Sequence, residues 1–305
     1  MKSDNFYVKL TKYIQKHLGE DWTAELQPNA IKNNGTSKIT LLLSRNSDIL
    51  KPRIYLEEFY EDYQNGTSLN EIMDKILEIY EYAIQTCNTS HLADLKTWET
   101  AKQWLAFQLI SKEKNRERLP DYVYEDFCDL AAVVRFCLEI NPEGIKSMYV
   151  TNDLIKYWNT TREEVLNIAR VNTEKLFPPK ISRVVDEIPK ELSIPPANSE
   201  KIRNKRDKLM VLTNTLGIRG ATVIMYDSFM KEVYERMQGK FFILPCSIHE
   251  VIIFPIDTEV VLTGIRKTVH MVNRFYVHPD EYLSNQIYYY NGEKVVLLDR
   301  ERGEI

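Results

Sequence analysis

Glycine is scarce in this chain, ten among 305 residues, and none stands in a Gly-x-Gly-x-x-Gly or a Gly-Lys-Ser/Thr arrangement. Those arrangements let a backbone close around a pyrophosphate or a triphosphate, so dinucleotide and phosphate-loop nucleotide binding are set aside. Long apolar runs are missing too. No stretch approaches the roughly 18–20 residues a membrane-spanning helix needs. The four cysteines (Cys87, Cys128, Cys137, Cys246) contain no Cys-x-x-Cys pair and read as reduced thiols packed like small apolar residues. Histidine is rare, with five in the chain, and His249-Glu250-Val251-Ile252-Ile253 lacks the second histidine of a zinc-protease helix. Neither a metal nor a cofactor is expected. Excess positive charge is also absent: the net charge is −4, which gives no global attraction for nucleic acid. The opening MKSDNFYVKLTKYIQK has no apolar core of a secretory signal, so the expected location is the cytoplasm.

What is present is apolar content of 44% interspersed with 28% charge, enough to bury a core. Phe6, Leu10, Tyr13, Ile14 and His17 fall at helical spacing, with Gly19 as a stop. Two strands, Trp22–Ile31 and 38–43, flank the turn signal Asn33-Asn34-Gly35. A third short strand (53–56) precedes a helical turn or two, and Leu69, Ile72, Met73, Ile76, Leu77, Tyr80 and Ala83 form the apolar stripe of a longer helix. Residues 94–118 read as helical. A β-branched run, 127–140, turns at Asn141-Pro142-Glu143-Gly144 into a strand over 145–150. Two helices follow, the second capped by Thr160 or Thr161. Five prolines and the cations Lys201, Arg203, Lys205, Arg206 and Lys208 mark an extended surface connection. The stretch 209–255 reads as strand, turn, strand, helix, strand, strand, and a helix spans about 258–273.

The expected class is α+β: a small antiparallel sheet with helices at the N-terminus and a larger mixed-sheet α+β domain at the C-terminus. The expected division is a small domain over 1–92, a helical connection over 93–120 and the larger domain over 121–305, with the proline-rich connection at 177–208.

At IYLEEFYEDYQNG (54–66), VLTNTLGIRGATVIMY (211–226), FILPCSIHEVIIFP (242–255) and DEYLSNQIYYYN (280–291) the chain resembles an uncharacterised family of Firmicutes proteins. The third block is also similar to a second, broader uncharacterised bacterial family. The resemblance implies a cytosolic bacterial protein. It carries no activity, cofactor or substrate over to any position here.

Two constellations carry chemistry. Cys246, Ser247 and His249 form a candidate hydrolytic site, since a hydroxyl or thiol nucleophile needs an imidazole within reach and an acid to orient it. In a strand beginning at Ser247, Ser247 and His249 share a face and Glu250 points away. An acid such as Asp227 or Asp257 then has to complete the set. The plainer reading makes Ser247 a turn hydroxyl and His249 a satisfied histidine. The second constellation is Glu57, Glu58, Glu61 and Asp62, like charges at i,i+4 that repel unless a cation intervenes. Over 57–81 eight carboxylates face one cation, Lys75. A solvated acidic surface is the plain reading, and a docking face for a basic partner, or for the 201–208 cluster, is the sharper one. Tyr288, Tyr289 and Tyr290, close to Tyr276 and Tyr282, suit an interface. The functional expectation is a non-enzymatic binding or regulatory protein with a protein partner or self-association. The alternative is a hydrolase using Ser247 or Cys246 with His249.

Overall fold

Residues 2–46, 51–88, 91–187, 209–245, 247–256 and 262–298 are described by the structure, a computed structural model. The apolar positions read from the sequence become the core of a first compact unit, residues 1–93. Phe6, Leu10 and Ile14 lie buried on one side of α1 (Lys2–Leu18), which ends where Gly19 takes a positive φ of 82°. A left-handed residue just past a helix is the ordinary place for glycine. Strands β1 (Trp22–Ile31), β2 (Ser37–Arg45) and β3 (Arg53–Tyr55) form an antiparallel sheet in that order. Asn34 and Gly35 supply the left-handed residues of the β1–β2 turn. Helix α2 (Glu57–Gln64) precedes α3 (Leu69–Asn88), whose start is fixed by a reciprocal cap. Ser68 Oγ accepts from the Glu71 N–H (3.3 Å), and the Glu71 carboxylate accepts from the Ser68 N–H (2.8 Å). Leu41, Leu43, Ile72, Ile76 and Tyr80 close this core against α1.

The second unit, residues 94–305, departs from expectation in three places. Residues 94–118 are not a helical connection. After one helical turn at Trp98–Ala101, Leu105–Ser111 form strand β4, buried along its whole length. A strand covered on both faces has no alternating pattern, so its apolar run is indistinguishable from part of a helix. The expected strand after the 214–220 turn is instead a buried 3-10 helix, Gly220–Met225, for the same reason. And among the described residues every strand pairing is antiparallel, so the larger domain's sheets are not mixed. The α+β class itself holds.

One sheet is built on the long strand β6 (Leu130–Asn141). Along one edge it pairs with β4; β5 (Tyr124–Phe127) and β7 (Gly144–Tyr149) pair with its first and second halves. The other sheet has the order β13-β12-β10-β11-β9-β8, comprising β8 (Pro179–Arg183), β9 (Met210–Asn214), β10 (Phe241–Leu244), β11 (Val251–Pro255), β12 (Tyr288–Tyr290) and β13 (Val295–Leu297). Thr151 and Thr161 cap helices α4 (Asn152–Trp158) and α5 (Arg162–Leu176). Helices α6 (Asp227–Arg236) and α7 (Leu262–Phe275) complete the unit. One apolar core unites residues of both sheets with Trp158 of α4, Val165 and Ala169 of α5, and Phe229 and Val233 of α6. Part of the proline-rich connection is thus a strand, β8, while its basic cluster at 201–208 lies outside the described residues.

Candidate functional site

The turn between β9 and the 3-10 helix is held from within. Asn214, 2% exposed, accepts the Leu216 N–H through Oδ1 (3.0 Å) and donates through Nδ2 to the Ile218 carbonyl (2.8 Å). Gly217 and Arg219 take positive φ of 68° and 56°. Gly220 is required by space: a Cβ there would stand 2.6 Å from Asn214 N, 2.7 Å from the His249 carbonyl and closer still to Thr213 Oγ1. Thr213 Oγ1 donates to the His249 carbonyl (2.8 Å), and the Arg219 N–H donates to His249 Nδ1 (3.3 Å).

His249 is therefore a fixed ring. Because Nδ1 accepts, the proton of the neutral imidazole sits on Nε2, which lies 3.4 Å from Glu281 Oε1. Ser247 is close in sequence but not engaged with the ring: its Oγ accepts the His249 backbone N–H (2.9 Å). Strand β11 begins at Val251, so 247–250 form a turn rather than the strand start assumed in reading the sequence. The acid facing the imidazole is Glu281, which the sequence pattern did not single out. Cys246 and Asp257 lie outside the described residues.

A second cluster lies on one face of the β6 sheet. Alternation puts Val133, Arg135 and Cys137 on one face, and register brings Gln108 and Ala106 of β4 and Ser147 and Tyr149 of β7 beside them. Arg135 donates to Ser147 Oγ from Nε (3.1 Å) and Nη2 (2.9 Å) and to the Ser147 carbonyl from Nη2 (2.8 Å). Its guanidinium lies 3.9 Å from the centre of the Tyr149 ring, which stacks on Tyr122 at 4.2 Å. Arg219, delivered by the turn just described, donates from Nη1 to the same Ser147 Oγ. Burial pulls the Arg219 guanidinium down to about 10, helped by the charge of Arg135; burial lowers Arg135 too and pushes the Cys137 thiol up to about 11. Sequence reasoning missed this pair. Its signal was a lone arginine inside the apolar run Leu130–Leu138, since a charge in a buried strand is rare without purpose.

The acidic residues are mostly spoken for. Glu57 Oε1 accepts the Ile39 N–H (2.8 Å), Asp62 pairs with Lys75 Nζ (2.6 Å), and Glu81 pairs with Arg45. Glu58 and Glu61 are exposed on α2. Tyr276 is exposed, but the tyrosine triplet is not a surface. Tyr288 and Tyr290 are 0% and 2% exposed, and Tyr289 packs with Phe242 and Leu298 beneath the other face of β12. Three consecutive aromatics in a strand inside a sheet fill both faces, which is why they crowd there. The Tyr288 hydroxyl donates to Asp129 Oδ1, and the Ser284 hydroxyl donates to Asp129 Oδ2 (2.7 Å).

Among the described residues no helix is long and apolar enough to cross a membrane, and no three His, Cys, Asp or Glu side chains converge as a metal would require. The fold and these clusters define an α+β protein of two antiparallel-sheet units. A profile of a family of unknown function (DUF5688) matches residues 3–292, and the chain belongs to that family. No curated protein and no solved structure matches it.

Proposed function

We propose that this is a bacterial cytoplasmic binding or regulatory protein that acts by noncovalent contact rather than by turnover. The observation that carries the reading is the state of His249. One ring nitrogen accepts the Arg219 N–H and the other faces Glu281, so neither is available to take a proton from Ser247. Glu58 and Glu61, exposed on α2, are the contacts offered to a basic protein segment. The test has two arms on the intact chain. Fluorescein-labelled oligolysine should bind with salt-sensitive anisotropy and lose that binding in Glu58→Lys/Glu61→Lys; equal binding by the variant sinks the acidic face. A fluorophosphonate probe should leave Ser247 unlabelled. Labelling of Ser247 that disappears in His249→Ala overturns the noncatalytic reading.

The hydrolase alternative, Ser247 or Cys246 with His249, draws on one observation, the Glu281–His249 pair at 3.4 Å. It requires the ring to leave the Arg219 N–H and turn Nδ1 toward a nucleophile. The probe arm separates the two.

A further inference from the structure

Helix α7 carries charge of one sign only. Its 14 residues include Arg266, Lys267 and Arg274 and no carboxylate. The apolar side of the helix faces inward: Val269 is 2% exposed, and Ile265 packs against Phe242, Ile287 and Leu298. On the outer side Lys267, Met271 and Phe275 follow one another at i,i+4 spacing and so share one stripe. All three are exposed, Met271 by 50% and Phe275 by 68%. His270 and Arg274 flank them in the open, with the Arg274 guanidinium 5.4 Å from the centre of the Phe275 ring. A helix that lies on a lipid surface turns its apolar stripe outward. Here that stripe belongs to the core, and the outer face mixes methionine, phenylalanine and arginine, residues enriched where proteins meet.

The counterpart of that face is carried by the first unit of the same chain. The outer side of α3 presents Glu71 and Glu78, seven residues apart as Lys267 and Arg274 are, with Asp74 between them. The one cation of α3, Lys75, is bound to Asp62 of α2. Beside the carboxylates Ile79 and Tyr82 are 45% and 54% exposed at i,i+3 spacing. Both helices therefore follow one plan with opposite charge: like-charged side chains two turns apart, next to two large apolar groups in water. At 1.5 Å per residue α3 is about 30 Å long and α7 about 21 Å, enough for one to lie along the other.

We infer that α7 of one molecule docks along α3 of a second copy, its cations meeting Glu71, Asp74 and Glu78 while Met271 and Phe275 cover Ile79 and Tyr82. This contact rests on the reading of the acidic side of the first unit as a dock for a basic segment, and it identifies the segment. The charges set partner and register, and burial of the four apolar side chains supplies the hold. Because every copy has both faces, two molecules bury both pairs at once in a two-fold dimer.

Sedimentation velocity of the intact chain over a concentration series tests the contact. The wild type should pass from monomer to dimer below about 100 μM and return toward monomer as salt rises. Lys267→Glu/Arg274→Glu and Asp74→Lys/Glu78→Lys should each weaken association about tenfold or more. All four changes in one chain should restore it, since the charges then face each other with signs exchanged. A wild type that stays monomeric overturns the dimer, as does a dimer indifferent to the α7 pair or a fourfold variant that stays apart. Should a variant fail to fold, the wild type alone decides. In a mixture of unlabelled and nitrogen-15-labelled chains, carbodiimide must join Lys267 of one isotope to an α3 carboxylate of the other; links within one chain only, or none, reject the contact. A monomeric wild type that binds phosphatidylglycerol vesicles assigns α7 to a lipid surface instead. If oligolysine still binds a monomeric chain, the acidic face keeps its role with another basic partner; if it does not, that reading falls with the dimer.

Discussion

Unit one gathers its charge in the open; unit two hides a smaller amount inside. Between Glu57 and Glu81 the first unit places eight carboxylates against one lysine, a density that dominates any reading of the sequence. Yet its members are capped, paired across to Lys75 or Arg45, or left in water. The second unit holds two arginines that no local count of charge would flag, and there burial shifts both groups. The lesson is that electrostatic stress follows desolvation, not charge density. Exposed pairs are worth at most about 1 kcal/mol, while a cation inside a strand has to be compensated by whatever the fold brings to it.

The most forceful way to break the contrast is to spoil the turn that delivers Arg219. Gly220→Ala sets a methyl against Asn214 N and the His249 carbonyl, and neither backbone atom can retreat independently. We expect a loss of about 3 kcal/mol or more, read as the shift of a urea denaturation midpoint; a midpoint equal to wild type would show that the turn moves freely. Next comes Tyr288→Phe, which takes one of two side-chain donors from the Asp129 carboxylate. Hydrogen bonds to a charged group make the expected cost about 1.5–3 kcal/mol. A change below about 0.5 kcal/mol in the same assay would mean that solvent replaces the phenol.

A pH experiment sharpens the buried side. The folded Cys137 thiol titrates near 11 against an ordinary 9, so the unfolded chain ionises first. Its contribution to stability is fully present below about 9 and is lost as pH rises through about 11. Cys137→Ala should therefore flatten the alkaline decline in stability between those values; an unchanged decline assigns it to other groups. Smallest is the open side of the comparison. Asp62→Asn, which removes the partner of Lys75, should alter stability by no more than ~0.5 kcal/mol. A larger loss would make the acidic face a structural network after all.

Legibility followed exposure. Helix α1, the Asn-Asn-Gly turn and the stripe of α3 were visible because each has one wet side, so composition alternates with the period of the element. Strand β4 and the 220–225 helix have no wet side, and burial on all faces erased the period that would have told strand from helix. At the candidate site, Ser247 and His249 were readable as chemistry-bearing residues, but their relation depends on Arg219 and Glu281, tens of residues away on either side in the chain. The tyrosine triplet misled for the opposite reason: aromatics suit interfaces and cores alike, and only the pairing of β12 with both β10 and β13 decides between them.

That pairing has a bearing on how the protein is made. Asp129 sits in the β5–β6 turn and waits for Tyr288, 159 residues further along. At ribosomal speed this interval is on the order of 10–30 s. The first unit has its whole core once Tyr80 is made, whereas the second keeps a bare carboxylate and an unfilled sheet edge beside β10 until β12 emerges. The second unit therefore cannot close before β12 is made, and a chain stalled short of it would expose that edge.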